Sequence, residues 1–393
     1  VVQCVTYAAI GMPIGMLGAG WPDARGRFDA TTGALGLVAA AYGVGRLVTA
    51  PTALTILRRW PMRTASTAFG AGLTLAVASV AVVRSYAALV VAFAAIGLLS
   101  GCLDSLGNRY QSVVRDVGSA GLMFGSFGVG STLGPAVVAT FGWAPAYAAS
   151  AVLTGTAVAL VSSRRVTWPA DLRPAAAGST SAAAAPSAAA KVPFGVLALS
   201  LALFFVYCGI EVVTANWAAS YLEGGRGLSA GAAAWAMSGF WAGITLGRLG
   251  LGRLSSLGSG LRPSQLLSLM AIGVAAVYVA IPLLPPPAAV AALALAGLAL
   301  AGAFPTLMST TADRVGVAAA GRVTGLQLFV ANLAATGLTV LVGFGVDARG
   351  DAVVGLALAA LALLGLPLVW RARSVHAPQP AIDVPAPEPT AVD

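Results

Sequence analysis

AALVVAFAAIGLLSGCLDSLGNRYQS, residues 87–112, decides the fold. A helix that crosses a bilayer needs about 20 mostly apolar residues. This stretch meets that length, and its one acid, Asp104, lies well inside it. Similar stretches recur along the chain. Spans are expected near 3–21, 33–57, 64–83, 87–112, 118–141 and 143–163, and again near 194–217, 229–254, 264–283, 288–311, 320–345 and 352–370. Between the two sets, residues 164–191 include AAAGSTSAAAAPSAAA, a low-complexity, proline-punctuated stretch with little to pack. The organisation expected is a six-helix bundle over 1–163, a cytoplasmic linker over 164–191, a second six-helix bundle over 192–370, and a Pro-rich, disordered cytoplasmic tail over 371–393.

The composition agrees with the spans. Only 9% of the 393 residues are charged, 58% are hydrophobic, and the mean hydropathy is +0.89. Soluble domains carry about 25% charge, so this chain could not clothe a water-facing surface. The three cysteines, Cys4, Cys102 and Cys208, are scattered through apolar stretches and form neither a disulfide framework nor a zinc spacing. The one histidine, His376, is in the tail, and 13 acids are dispersed, so no metal site or nucleophile–base constellation is visible. Catalytic residues and cofactors are therefore expected to be none. The one lysine, Lys191, follows alanines rather than a glycine-rich loop, which excludes a Walker A site. An ion gradient, most simply of protons, or plain facilitation is left as the driving force.

The net charge of +9 belongs to short loops rather than to a basic face, so nucleic acid is not an expected partner. Of the 22 lysines and arginines, Arg46 and Arg248 fall inside spans. Arg25, Arg27, Arg84, Arg226 and Arg349 fall on the side away from the termini, and all the others fall on the side of the termini. Positive charge gathers in cytoplasmic loops, so both termini are expected in the cytoplasm and the chain in the plasma (inner) membrane. The first residues show no basic segment or cleavage site, and no signal peptide is expected.

Four ionisable residues lie inside spans: Arg46 in the second, Asp104 in the fourth, Glu211 in the seventh and Arg248 in the eighth. Intramembrane charge is costly and by default marks function. The third, sixth, ninth and twelfth spans carry none and are expected to face lipid. Ser100, Asp104 and Asn108 recur every fourth residue and share one helical face. Tyr207, Glu211 and Thr214 share another, with Asn216 and Trp217 beyond them. The eleventh span offers Thr324, Gln327 and Asn332. Asp104 and Glu211 are the candidate proton-coupling residues. Asn108, Tyr207, Asn216, Trp217, Trp241, Gln327 and Asn332 are the candidate solute-binding residues. Arg46 and Arg248 are the candidate charge partners. Each has a plainer reading: a salt bridge between Arg46 and Asp104, a snorkelling Arg248, and packing or interface roles for Trp235, Phe240 and Trp241.

Six plus six spans around a linker resemble the major facilitator superfamily. Within it the chain is similar to the fucose permease branch, through GCLDSLGNRY (101–110), YCGIEVVTANWAASYL (207–222), SGFWAGITLGRLGLGRL (238–254), AGAFPTLMSTTADRVG (301–316) and GRVTGLQLFVANLAATGL (321–338). The resemblance implies two pseudo-symmetric bundles, a solute site between them near the midplane, and a cavity lined by the first, fourth, seventh and tenth helices. It places the branch's proton-linked acid on Asp104 and a nearby amide on Asn108. The branch's second acid, in the first helix, falls on Gly18, so a paired mechanism would need Glu211 from the other half.

Two motifs depart from the superfamily pattern. The loop after the second helix, ILRRWPMRT (56–64), has Arg58 where an aspartate is expected and Pro61 in place of a glycine. Its second copy, GRLSSLG (252–258), has Ser256 at the acidic position. Gly121, Gly130, Gly134 and Pro135 fit part of the antiporter pattern G-x8-G-x3-G-P, but Val138 and Ala139 replace its closing glycines. The reading is a proton-coupled symporter of a sugar or similar polar compound, working by alternating access. The alternatives are a proton-coupled drug or metabolite efflux antiporter and, more distantly, a polytopic membrane enzyme. Expected partners are a small-molecule substrate and the lipid bilayer, with the chain a monomer.

Overall fold

The structure, a computed structural model, describes residues 2–49, 60–114, 117–163, 192–256 and 262–375, with side chains described outside 112–121 and 252–256. The expected linker, 164–191, lies outside the described residues, as do 376–393 of the expected tail.

Among the described residues the regular structure is helical throughout. The first half holds α1 (Val2–Ala24), α2 (Leu35–Leu47), α3 (Met62–Val82), α4 (Tyr86–Val114), α5 (Val117–Phe141) and α6 (Trp143–Ser162). The second holds α7 (Phe194–Ser220), α8 (Ala230–Ser256), α9 (Pro263–Ala280), α10 (Pro286–Leu300), α11 (Ala303–Ser309), α12 (Thr311–Val315), α13 (Val317–Arg349) and α14 (Ala352–Ala372). Among the described residues, ten helical stretches are long and apolar enough to span a membrane. α2 is a shorter apolar helix, and α8 is not among the ten. Large apolar side chains such as Leu75, Val91, Leu269 and Phe344 stand exposed, as a lipid-facing surface requires.

The two halves repeat one packing scheme. α1 lies on α5 and α6, α2 on α4, and α3 on α4 and α6. Correspondingly, α7 lies on α13 and α14, α8 on α10, and α9 on α10 and α14. Glycines set the closest crossings, since lipid supplies no hydrophobic drive between helices and close backbone packing must supply the attraction. A Cβ on Gly45 would strike the Ala94 carbonyl, and one on Gly97 the Tyr42 carbonyl. In the second half Gly243 stands in the same way against Ala294, and Gly297 against Phe240.

Turns carry the connections. Gly142, at φ +80, turns the chain sharply from α5 into α6, whose first amide, at Trp143, donates to Asp23 at 3.3 Å. The expected tenth span is interrupted: α10 ends before Gly302, α11 carries Pro305, and α12 is a single short turn ended by Gly316 at φ +83. Pro305 has no N–H to bond back to residue 301, which accounts for the break there. The expected second span, 33–57, is helical to Leu47, and 50–59 lie outside the described residues.

The halves meet along α5 with α8, α2 with α13, and α1 with α7 and α8. Their contacts cluster toward the end of the bundle away from the start of α1 and the end of α14. There a Cβ on Gly18 would strike the backbone of Ala215 and Asn216, and one on Gly33 the Gly343 carbonyl. Toward the other end, a Cβ on Gly125, Gly321 or Gly325 would meet nothing within 4 Å.

Candidate transport site

Each half holds a half-buried acid–arginine–tyrosine cluster. In the first half, Gly45 and Gly97 let α2 and α4 close, and Arg46, next to Gly45, reaches Asp104. Arg46 Nη2 donates to Asp104 Oδ2 at 2.8 Å, and Tyr7 Oη donates to Oδ1 at 2.8 Å. Both carboxylate oxygens are thus engaged. Arg46 also reaches Tyr42 Oη at 3.4 Å. The Tyr7 ring lies where a side chain at Gly107 would stand, so that glycine makes room for the cluster.

In the second half, Tyr207 Oη donates to Glu211 Oε2 along α7. Arg248 Nη2 stands 3.8 Å from the same oxygen, and Arg248 Nε donates to the Ala301 carbonyl at 3.3 Å. Among the described residues no hydrogen bond reaches Glu211 Oε1. Side-chain exposure is 27% for both Asp104 and Arg46, 19% for Glu211 and 34% for Arg248. The clusters therefore sit at the edge of solvent-reachable space, each with zero net charge.

The glycine crossings show how the clusters are related. Counted from Gly97 and Gly297, Asp104 and Phe304 hold equivalent places. Tyr207 packs on Phe304, with centroids 6.0 Å apart, as Tyr7 bonds to Asp104. The second half thus has Phe304 at the place equivalent to Asp104 and carries its acid on α7 instead. Its arginine differs in place as well, because Ile244 occupies the place equivalent to Arg46.

The other expected site residues are placed as follows. Asn108 is exposed on the Asp104 side of α4. Asn332 is part-exposed and donates to its own helix at the Leu328 carbonyl, 2.8 Å away. Asn216 is buried and donates to Thr339 at 3.2 Å. Trp217 is fully buried between Gly36 and Gly343, so it packs at the meeting of the halves rather than on an open wall. Trp241 is buried edge-on against Phe240. Gln327 is also fully buried: it accepts from Thr311 at 3.2 Å and donates to Ser200 at 3.3 Å, inside the second half. Trp217, Trp241 and Gln327 therefore shape the scaffold, and in this conformation they do not present a surface to a solute. Arg248 is held by Glu211 and a carbonyl rather than snorkelling.

Gly18, where the resemblance expects the missing acid, is the point at which α1 crosses α7 backbone to backbone. No side chain fits there in this conformation. Gly130 and Gly134, part of the antiporter-like spacing, press on the Ala8 and Met12 carbonyls of α1. Helix packing accounts for those two. The side chains at 121 and 256, and all of residues 50–59 including Arg58, lie outside what is described.

Sequence reading missed two polar groups. Across the halves, Arg25 pairs with Glu223 at 3.1 Å, and Asp347 accepts from Thr31 at 2.9 Å and from the Gly33 amide at 2.8 Å. Within the second half, Arg314, which reads in the sequence as a loop charge, is buried. It donates to Ser200 at 3.2 Å and to the Leu307 carbonyl at 2.8 Å, and burial pulls its pKa below the ordinary guanidinium value. Leu307 apart, these partners are distant in sequence, and no local pattern pairs them. Among the described residues no group of three His, Cys, Asp or Glu side chains could hold a metal ion.

Comparison with known proteins follows the same lines. Three solved structures illustrate the similarity of fold. A variant of the nucleoside transporter NupG matches with TM-score 0.73 at 14% identity, over 95% of this chain and 97% of that one. The peptide transporter POT in complex with sulfate matches with TM-score 0.66 at 14% identity, over 96% and 95%. A D-xylose-proton symporter matches with TM-score 0.67 at 12% identity, over 93% and 95%. No curated protein sequence matches. The family model of the Major Facilitator Superfamily matches residues 3–339. With its repeated helical halves and its half-buried charge clusters, the chain belongs to the major facilitator superfamily and is a transporter, not an enzyme.

Proposed function

We propose that this protein is a secondary active transporter that moves a small polar solute together with a proton, by rocking its two halves about the meeting of α1 and α7. The observation that carries this reading is the pair of half-buried acid–arginine clusters, one in each half. Such groups are costly in a membrane and repay their cost by binding or coupling. A carboxylate beside an arginine takes up a proton when the ion pair loosens, and a change in access loosens it. With both termini cytoplasmic, as the loop charges indicate, the clustered contacts between halves close the outer side and the cleft opens inward.

A sugar or similar polyhydroxylated compound is the favoured solute. Asn108 and the two clusters offer donors and acceptors in balance, with no net charge to favour an ion. The fucose permease-like segments point the same way. Known relatives in fold, which include a nucleoside transporter and a D-xylose-proton symporter, are consistent with this class. The protein works as a monomer in the plasma membrane, each chain holding a complete cleft.

The test is reconstitution in vesicles containing a pH dye, followed by addition of neutral sugars and polyols. Internal acidification on adding one of them is the expected result. Silence across that panel, with acidification or alkalinisation driven by lipophilic cations instead, would replace symport of a polar solute by efflux.

A further inference from the structure

We infer that Glu211, and not Asp104, carries the exchangeable proton. This rests on the proton-coupled reading above and names the residue that performs the coupling.

The two carboxylates are held differently. Asp104 has a donor on each oxygen, Tyr7 at 2.8 Å and Arg46 at 2.8 Å. Both oxygens already accept a donor, one of them a guanidinium, and that arrangement matches a carboxylate better than a neutral acid. The ionised form is therefore the one this cage fits. Glu211 receives Tyr207 and the more distant Arg248 on Oε2 alone. Its Oε1 is free to take a proton without displacing any donor among the described residues. Arg248 also keeps a second acceptor, the Ala301 carbonyl at 3.3 Å, so it is not stranded when its partner is neutralised.

Position separates them further. α4 packs within its own half, chiefly on α2 and α3, and Asp104 reaches the joining helix α1 only through the Tyr7 hydroxyl. α7 packs across the halves on α1, and its backbone at Ala215 and Asn216 meets Gly18 about one turn beyond Glu211. A charge change at Glu211 thus acts on the helix that joins the moving bodies. The groups that face it are Tyr207 and Cys208 on α7, Arg248 on α8 and Tyr278 on α9. Arg248 is the one cation among them.

Infrared difference spectra of the full chain in lipid nanodiscs, taken over successive pH intervals, test this without a known solute. A protonated-carboxyl stretch is expected in the wild type. It should vanish in Glu211→Gln, persist in Asp104→Asn, and return with altered frequency in Glu211→Asp. Monodisperse elution of each variant verifies folding. A band that disappears in Asp104→Asn and survives in Glu211→Gln overturns the assignment, and so does a wild type with no such band. Either result would leave solute-driven flux in vesicles intact. Failure of the transport reading would instead show as no flux for any solute.

Discussion

At the scale of single residues, the cage around Asp104 is a stability element. Removing one partner of a buried ion pair leaves the other uncompensated, at a cost of about 3–5 kcal/mol. Asp104 and Arg46 are each about one-quarter exposed, so the lower end applies. Arg46→Ala should therefore cost about 3 kcal/mol, read as a clearly lowered melting temperature in detergent. Asp104→Asn keeps one acceptor oxygen for Arg46 and places an NH2 toward Tyr7, whose hydroxyl can turn to accept, so it should cost less; equal losses would refute the cage. Asp351, at the start of α14, behaves in the opposite sense. Burial raises its pKa, only partly offset by Arg25, and its Oδ1 lacks a partner among the described residues. An acid whose folded pKa is raised favours the fold while protonated, and that contribution fades as pH climbs from the unfolded to the folded value. Asp351→Asn should hence raise the melting temperature at neutral pH and leave it unchanged in acid; a drop at neutral pH would contradict this. The intramembrane charges were legible because charge in an apolar run stands out. The pairing of Arg46 with Asp104 was an open choice in the sequence, since it depends on Gly45 and Gly97 bringing two helices together.

At the scale of helices, glycines divide into those that hold a half together and those at which the halves meet. Gly97 crosses α2 within the first half, so it is needed in every state of the cycle. Gly97→Val should overpack that crossing by at least about 1–3 kcal/mol and reduce folded yield, measured as monodisperse protein. Gly18 sits between the halves. Gly18→Val should fold normally yet exclude this conformation, which cysteine labelling at the outer end would register as greater accessibility; poor folding of Gly18→Val alone would reverse the division. The long helices were readable from length and hydropathy, and where both ends are described their bounds moved by only a few residues; the end of the expected second span lies outside the described residues. The break between α10 and α12 was not read, although Gly302 and Pro305 are its local cause. The burial of Gln327 was unreadable for another reason. A polar residue on a helix looks alike whether it faces a cleft or a buried partner, and only the distant Ser200 and Thr311 decide between the two.

At the scale of the whole molecule, the halves are latched at one end by polar contacts between segments far apart in sequence. Arg25 meets Glu223, and Asp347 ties Thr31 and Gly33 to the end of α13. The Arg25–Glu223 pair is partly exposed, 31% and 25%, so it is worth no more than about 1 kcal/mol. That is little for the fold of either half, because neither half needs the pair to pack its own core. It matters for the balance between conformations, where about 1 kcal/mol changes a population ratio about fivefold. Arg25→Ala should accordingly leave the melting temperature almost unchanged while increasing the fraction open at that end. Spin labels on Ser85 and Ala348, exposed there on opposite halves, report that fraction as a longer distance. The reversed pair, Arg25→Glu with Glu223→Arg, should restore the shorter one. If the reversed pair stays open, the attraction between these two side chains is not what latches the halves, and the Asp347 contacts must hold them alone.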